Sequence, residues 1–318
     1  MAGITGQGTT FNLPNYTGEL FNITPEDTPL LSMIGGLTGG RPVIGATEWE
    51  WQFYDLRNAG QNTKVEGANA PAPEERVRSA ANNILQIHQE TVETSYTRNA
   101  ANMARSGINV GGLAGSPLME QSWQEIQMVK QIARDVEYSF LRGTYNKPVD
   151  NTTARRTRGL IQAITTNAVD LAAAPLTEDD ILGLLQLAWE NGGMAEGETR
   201  TLIVGANRKR DLSRIFITDK NFQEQSRNVA GVNVRTIETD FGIVNVMLER
   251  NIPADTIVAA SLEDLAPRFL EIPDKGHFFQ EPLAKVGASE RTQFYGEVGL
   301  EYGNERKHAK LTGIGEPV

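Results

Sequence analysis

At 318 residues the chain is longer than one hydrophobic core usually organises, and 39% hydrophobic with 22% charged residues is an ordinary globular composition. Basic residues number 30 against 40 acidic ones, a net charge of −10, which runs against a surface built to neutralise nucleic-acid phosphates. With no cysteine, disulfides, thiolate metal sites and cysteine nucleophiles are excluded.

Residues 1–46 are glycine-rich and show little periodicity, with Thr28-Pro29, Gly35-Gly36 and Gly39-Gly40-Arg41-Pro42 as punctuation. They predict an arm lying along another surface rather than a packed unit. Residues 1–15 lack the apolar run of a signal peptide, and no stretch approaches the ~20 apolar residues of a membrane span. In 47–53, Thr47, Trp49, Trp51 and Phe53 alternate with Glu48, Glu50 and Gln52, which predicts a strand. A second strand is expected over 83–97, polar on both faces, and between them 57–81 holds glycines and Ala70-Pro71-Ala72-Pro73. This pattern predicts a long two-stranded ribbon with a loose tip. Two strands are barely stable alone, so the ribbon needs something to lie on.

Ser116 and Pro117 suit the cap and first turn of a helix ending near Gly143. Its apolar stripe is read as Met119, Trp123, Ile126, Val129, Ala133, Val136 and Phe140. Over 117–142 such a helix would be roughly 39 Å long, a spine rather than a compact packing element. A helix is expected over 159–169, and Thr177 caps another through Asn191, with Glu178, Asp179 and Asp180 at its positive end. A short strand over 201–204, a helix from Asn207 to Phe216, a hairpin of 232–238 with 243–249 and a strand over 256–260 follow. At the end Thr292, Phe294, Val298, Leu300 and Tyr302 alternate with polar residues, and 306–311 returns after a turn at Gly303-Asn304. The fold class is α+β with a closing antiparallel sheet, and no internal repeat is visible.

A search for chemistry returns no catalytic, cofactor-binding or metal-binding residues. His88, His277 and His308 lie on separate elements without metal-ligand spacing and are read as surface or edge-strand residues. The carboxylates at 178–180 are explained by the helix dipole. The glycine clusters at 3–8, 35–40 and 111–115 lack the lysine and the spacing of a phosphate cradle, and no nucleophile elbow is present. The most basic run, Arg155-Arg156-Thr157-Arg158, is read as a solvated loop or half of an interface, with contact to DNA left open.

The order of arm, ribbon, spine, mixed lobe and closing sheet resembles the Hong Kong 97-type fold of tailed-phage capsid proteins. Local residues are similar to the SU10-type major head protein family. They are Phe11-Asn12-Leu13-Pro14-Asn15-Tyr16, Thr28-Pro29-Leu30-Leu31-Ser32-Met33-Ile34-Gly35-Gly36 and Glu48-Trp49-Glu50-Trp51-Gln52. Glu66-Gly67-Ala68, 82–87, Thr94-Ser95-Tyr96-Thr97, 130–137 and Arg158-Gly159-Leu160 continue the match. Up to about residue 160 the likeness is dense; beyond it the likeness rests on element order.

That resemblance implies an N-terminal arm (1–46), an extended loop overlapping a neighbour (47–97), a peripheral domain with the spine helix (98–155 with 277–318) and an axial domain (156–276). It implies a non-enzymatic major capsid protein, assembled in the host bacterial cytoplasm as pentamers and hexamers of itself into the icosahedral capsid of a virion. The implied partners are double-stranded DNA held without sequence-specific binding, a portal and a decoration protein, with no membrane and no cofactor. Because the arm motif begins by Phe11, a separate scaffolding protein is also implied. Two alternatives stay open: an encapsulin-type nanocompartment shell, and an α+β enzyme with an unrecognised site. Some capsids of this fold join a loop lysine to a neighbour's asparagine; Lys64 sits beside Gln61, Asn62, Thr63 and Glu66, too polar a setting, so no such crosslink is expected.

Overall fold

A computed structural model describes residues 24–37, 39–43, 46–98, 120–150, 152–194, 200–218, 225–229 and 232–316. The arm motif at 11–16, the glycine clusters at 3–8 and 111–115, the Ser116-Pro117 cap and Met119 lie outside these residues.

Two mixed-composition sheets share one spine. The first has five strands: β1 (Arg41–Val43), β11 (Ala266–Leu270), β13 (Ser289–Glu301) and β12 (Phe278–Pro282) in that order, with β4 (Gln86–Ser95) paired along the other edge of β13. Helix α2 (Glu120–Arg142) packs against β4 and β13. The second sheet has seven strands in the order β5 (Ala168–Asp170), β14 (Ala309–Thr312), β10 (Ile257–Ser261), β6 (Arg200–Val204), β9 (Gly242–Leu248), β8 (Val232–Thr239) and β7 (Gln225–Val229).

The central strands β6 and β10 are buried on both faces, which is why they read as continuous apolar runs without alternation. Ile203, Met247, Val258 and Ala260 face the core shared with α2, and Leu202, Val204, Val246, Ile257, Ala309 and Leu311 face a second core. Helix α4 (Glu178–Glu190) covers that second core with Ile181, Leu184, Leu185 and Ala188. Its start was readable: Thr177 accepts from the Asp180 amide while the Asp180 carboxylate accepts from the Thr177 amide, a reciprocal cap. The predicted hairpin forms as β8 paired with β9, turning at Asp240 and Phe241. Helix α5 (Ala206–Ser213) follows β6.

Several expectations are corrected. The arm is not wholly unpacked: α1 (Pro29–Met33) buries Leu30 and Leu31 in the shared core, and β1 pairs with β11. Leu30, Leu31 and Ile34 recur at helical spacing, but five residues between prolines and glycines are too few for a periodicity signal. The helix expected over 159–169 is the single turn α3 (Leu160–Ala163), after which β5 begins. The second ribbon strand is β3 (Arg78–Ile84), not 83–97; β4 leaves the ribbon and pairs with β13 over ten positions.

Two strands also change sheets relative to the sequence partition. β14 falls in the predicted peripheral tail yet pairs with β10, while β11 falls in the predicted axial span yet pairs with β13. For β14 chain order favours the nearer partner, the strand ending at Tyr302, while no strand is expected over 266–270. Register decides otherwise, because Ala309 and Leu311 complete the row opposite Ala259 and Ile257 in the second core.

Candidate functional site

The ribbon is the surface feature that the two cores do not explain. β2 (Glu48–Tyr54) and β3 pair antiparallel from Glu48 opposite Ile84 to Tyr54 opposite Arg78. Its base is fixed. The Trp51 indole donates to the Gly303 carbonyl at 2.7 Å and meets Tyr302 edge-on at a centroid distance of 4.8 Å. On the opposite face Glu48 accepts from Asn82 and pairs with Lys147. At the end of β3, fully buried Asn83 donates to the carbonyls of Leu300 and Arg158 and accepts from the Arg158 amide.

Beyond this base, residues 55–77 form no strand, and every one of them is exposed. Extended chain rises ~3.3 Å per residue, so this excursion can reach up to ~35 Å. Four of the protein's most exposed apolar side chains line it or flank it: Tyr54 at 68%, Leu56 at 64%, Val65 at 80% and Val77 at 75%. Single exposed apolar side chains are ordinary on a protein surface; these sit on an extension that neither core covers. Arg57 and Arg76 pair with Glu74 inside the tip, and Lys64 and Glu66 are exposed there.

The spine helix presents a second such surface. The buried stripe is Met128, Ile132, Val136 and Phe140, with Ala133 beside it. Trp123 is half-buried, and Ile126 and Val129 are 44% and 38% exposed, so the predicted stripe holds only toward the C-terminal end. A groove of about 560 Å³ runs between α2 and β4, lined by His88, Glu90, Asp135, Tyr138 and Arg142 among others.

The residues considered for chemistry scatter. His88 lies on the edge strand β4 but is buried there, His308 is buried rather than on the surface, and His277 stacks on Phe269. Burial pushes His88 down to about 4 and also lowers His308, whose Nδ1 accepts the Ser261 amide and whose Nε2 donates to the Tyr302 carbonyl. Both are neutral structural groups near pH 7. Among the described residues no three or more His, Asp or Glu side chains are placed to hold a metal ion, and no helix is long and apolar enough to cross a membrane. Within the basic run Arg155 pairs with Glu297 at 2.9 Å, and Arg158 donates to the Tyr302 hydroxyl and lies over Tyr145. Arg156 is the member left exposed.

One buried polar group has no counterpart in the sequence reading. Glu137, fully buried on α2, accepts the Leu30 amide at 3.0 Å and the Leu31 amide at 2.8 Å. These are first-turn donors of α1 that no side chain of its own cap satisfies. The one available signal was an acid at position 137 interrupting the apolar side of the spine between Val136 and Phe140.

The family model described as SU10 major capsid protein matches residues 3–315. No curated protein matches the chain. Among solved structures, the cyanophage A-1(L) capsid subunit is similar with a TM-score of 0.68 at 11% identity, covering 96% of this chain and 98% of that one. The capsid of cyanophage P-SCSP1u gives 0.60 at 11% identity, over 98% and 96% of the two chains. The SrpI encapsulin of Synechococcus elongatus PCC 7942 gives 0.56 at 10% identity, over 86% and 85%. At these identities the structures establish the fold, which is the Hong Kong 97-type capsid fold. The family match spans nearly the whole length, and the chain belongs to the SU10 major capsid protein family of tailed phages.

Proposed function

We propose that copies of this major capsid protein close into an icosahedral shell of pentamers and hexamers around double-stranded DNA, inside the host bacterium, with the ribbon tip of each subunit lying over a neighbour. The observation that carries this reading is the tip itself: residues 55–77 are exposed throughout and bear Leu56, Val65 and Val77, which neither core of the subunit covers. Head-to-tail contacts between two different patches of identical subunits generate rings where the rotation closes, and rings of two sizes close a shell. In this reading the five-stranded sheet with α2 is the peripheral domain, and the seven-stranded sheet with α4 and α5 is the axial domain around the symmetry axes. The subunit is a building block without catalytic activity and without a cofactor. A scaffolding protein, a portal and a decoration protein complete the proposed partners, and the DNA is held without sequence-specific contacts, in keeping with the net charge of −10.

The likeness to the SrpI encapsulin favours one second reading, a shell enclosing protein cargo. Electron microscopy of the purified protein, expressed with and without its neighbouring phage genes, tests both. Closed particles support a shell and strictly monomeric protein in every preparation refutes it. Nuclease-protected DNA inside particles separates the capsid from the nanocompartment.

A further inference from the structure

Glu137 does not stand alone. The carboxyl of Glu249, at the end of β9 and 2% exposed, lies within side-chain hydrogen-bonding contact of it. One oxygen of Glu249 accepts the Asn251 amide at 2.9 Å; the other, Oε2, is buried with no donor among the described residues. Two carboxylates in contact and out of water cannot both be ionised without a large Coulomb and desolvation cost. A proton between them removes one charge and supplies the donor that Oε2 lacks.

The charged groups on the surrounding elements do not neutralise the pair. On α2, Lys130 is bound to Glu26 at 2.7 Å, Arg134 donates to Gln131, and Asp135 adds a further acid. Beside Glu249, Arg250 is bound to Asp27 at 2.7 Å. α1 presents only the backbone amides of Leu30 and Leu31. Glu249 is the charge that acts on Glu137; burial first, then the hydrogen bond and the charge of Glu249, raise the Glu137 carboxyl far above its usual range. A metal ion is a poorer occupant. Both oxygens of Glu137 already accept amides, and no third ligand joins the pair among the described residues.

We propose that Glu137 and Glu249 form a binding site for one proton, and that this shared proton latches the arm helix α1 across the spine helix and the end of β9. When the proton leaves, two buried charges repel, and the element free to give way is α1, because it is five residues long and its first-turn amides are held by Glu137. The latch belongs to the subunit itself and stands whether or not the shell reading does.

Hydrogen exchange of the intact chain, followed by mass spectrometry on peptides covering 28–34, tests it against pH. Opening that releases one proton grows about tenfold per pH unit above the usual carboxyl range. After correction for the intrinsic base-catalysed rate, protection of Leu30 and Leu31 therefore falls about tenfold per pH unit through the neutral range in the wild type. In Glu249→Gln the second acid is gone and the side-chain amide donates to ionised Glu137, leaving burial alone to raise it, so that pH dependence is clearly weaker than in the wild type. Equal pH dependence in wild type and variant overturns the proposal. Protection that responds to EDTA instead of pH also overturns it, by making the ligand a metal ion. If Glu249→Gln fails to fold, the wild-type profile decides alone, and protection flat in pH is refutation.

Discussion

At Asn83 a single amide holds three parts of the molecule together. It donates to Leu300 on β13 and to Arg158 before α3, and it accepts the amides of Arg158 and Ile84. Replacement by alanine strands these backbone groups in a dry site, at a cost of about 1–3 kcal/mol for the most poorly resolvated of them. Denaturant unfolding of Asn83→Ala is expected to show a loss of about 2–3 kcal/mol. Asn83 was visible only as one polar residue in a strand polar on both faces, because burial of an amide depends on what arrives from residues 158 and 300. Gly159 is another contact of this kind: a Cβ there would stand 2.5 Å from the Gly143 nitrogen, where the end of α2 passes the start of α3.

For the spine helix, periodicity identified the element and its end but misplaced half of its buried face. Successive residues are ~100° apart around the axis, so reading Val129 in place of Met128 turns the stripe by that amount. Both stripes meet at Val136 and Phe140, where α1, α3 and the shared core close over the helix. Toward the N-terminal end fewer elements cover it, and sequence alone does not say which side they take. Phe140→Ala is expected to cost about 3–5 kcal/mol, the usual price of removing a fully buried aromatic. Trp123→Ala, outside the core cluster, is expected to cost about 1 kcal/mol or less. Thermal or chemical unfolding of the two variants side by side checks the assignment of the face.

Over the whole molecule, buried titratable groups limit stability from both sides. His88 has its folded value pushed from 6.5 down to about 4 by burial, so the unfolded chain binds the extra proton; its contribution is present above pH 6.5 and is lost as pH falls toward 4. His308 acts in the same direction. Glu137 acts oppositely: its folded value is raised, so its contribution is complete below the ordinary 4.5 and is lost as pH rises. Melting temperature against pH should therefore pass through a maximum on the mildly acidic side, and His88→Gln should flatten the acid limb while leaving the alkaline one. The ribbon tip belongs to neither core, so deletion of residues 57–76 is expected to leave melting within about 1 kcal/mol of the wild type and to abolish assembly. Circular dichroism and electron microscopy of the same preparation read the two outcomes, and a variant that unfolds would place the tip in the fold.

By itself the sequence determined the features that depend on neighbours along the chain. These are the spine and its stop at Gly143, the Thr177 cap, the hairpin turning at Asp240 and Phe241, the alternation around Trp49 and Trp51, and the exposed tip. Propensity, capping and period are local, so they are written in consecutive residues. The short motifs carried the family likeness for the same reason. Tertiary structure alone decided the rest: that β14 completes the sheet of β10, that β4 leaves the ribbon for β13, that α1 is core rather than loose arm, and that Glu137 meets Glu249. Each of these joins residues about 50 to 200 positions apart. Such partners are chosen by register and by which buried polar groups find a donor, and those conditions exist only once the chain has folded.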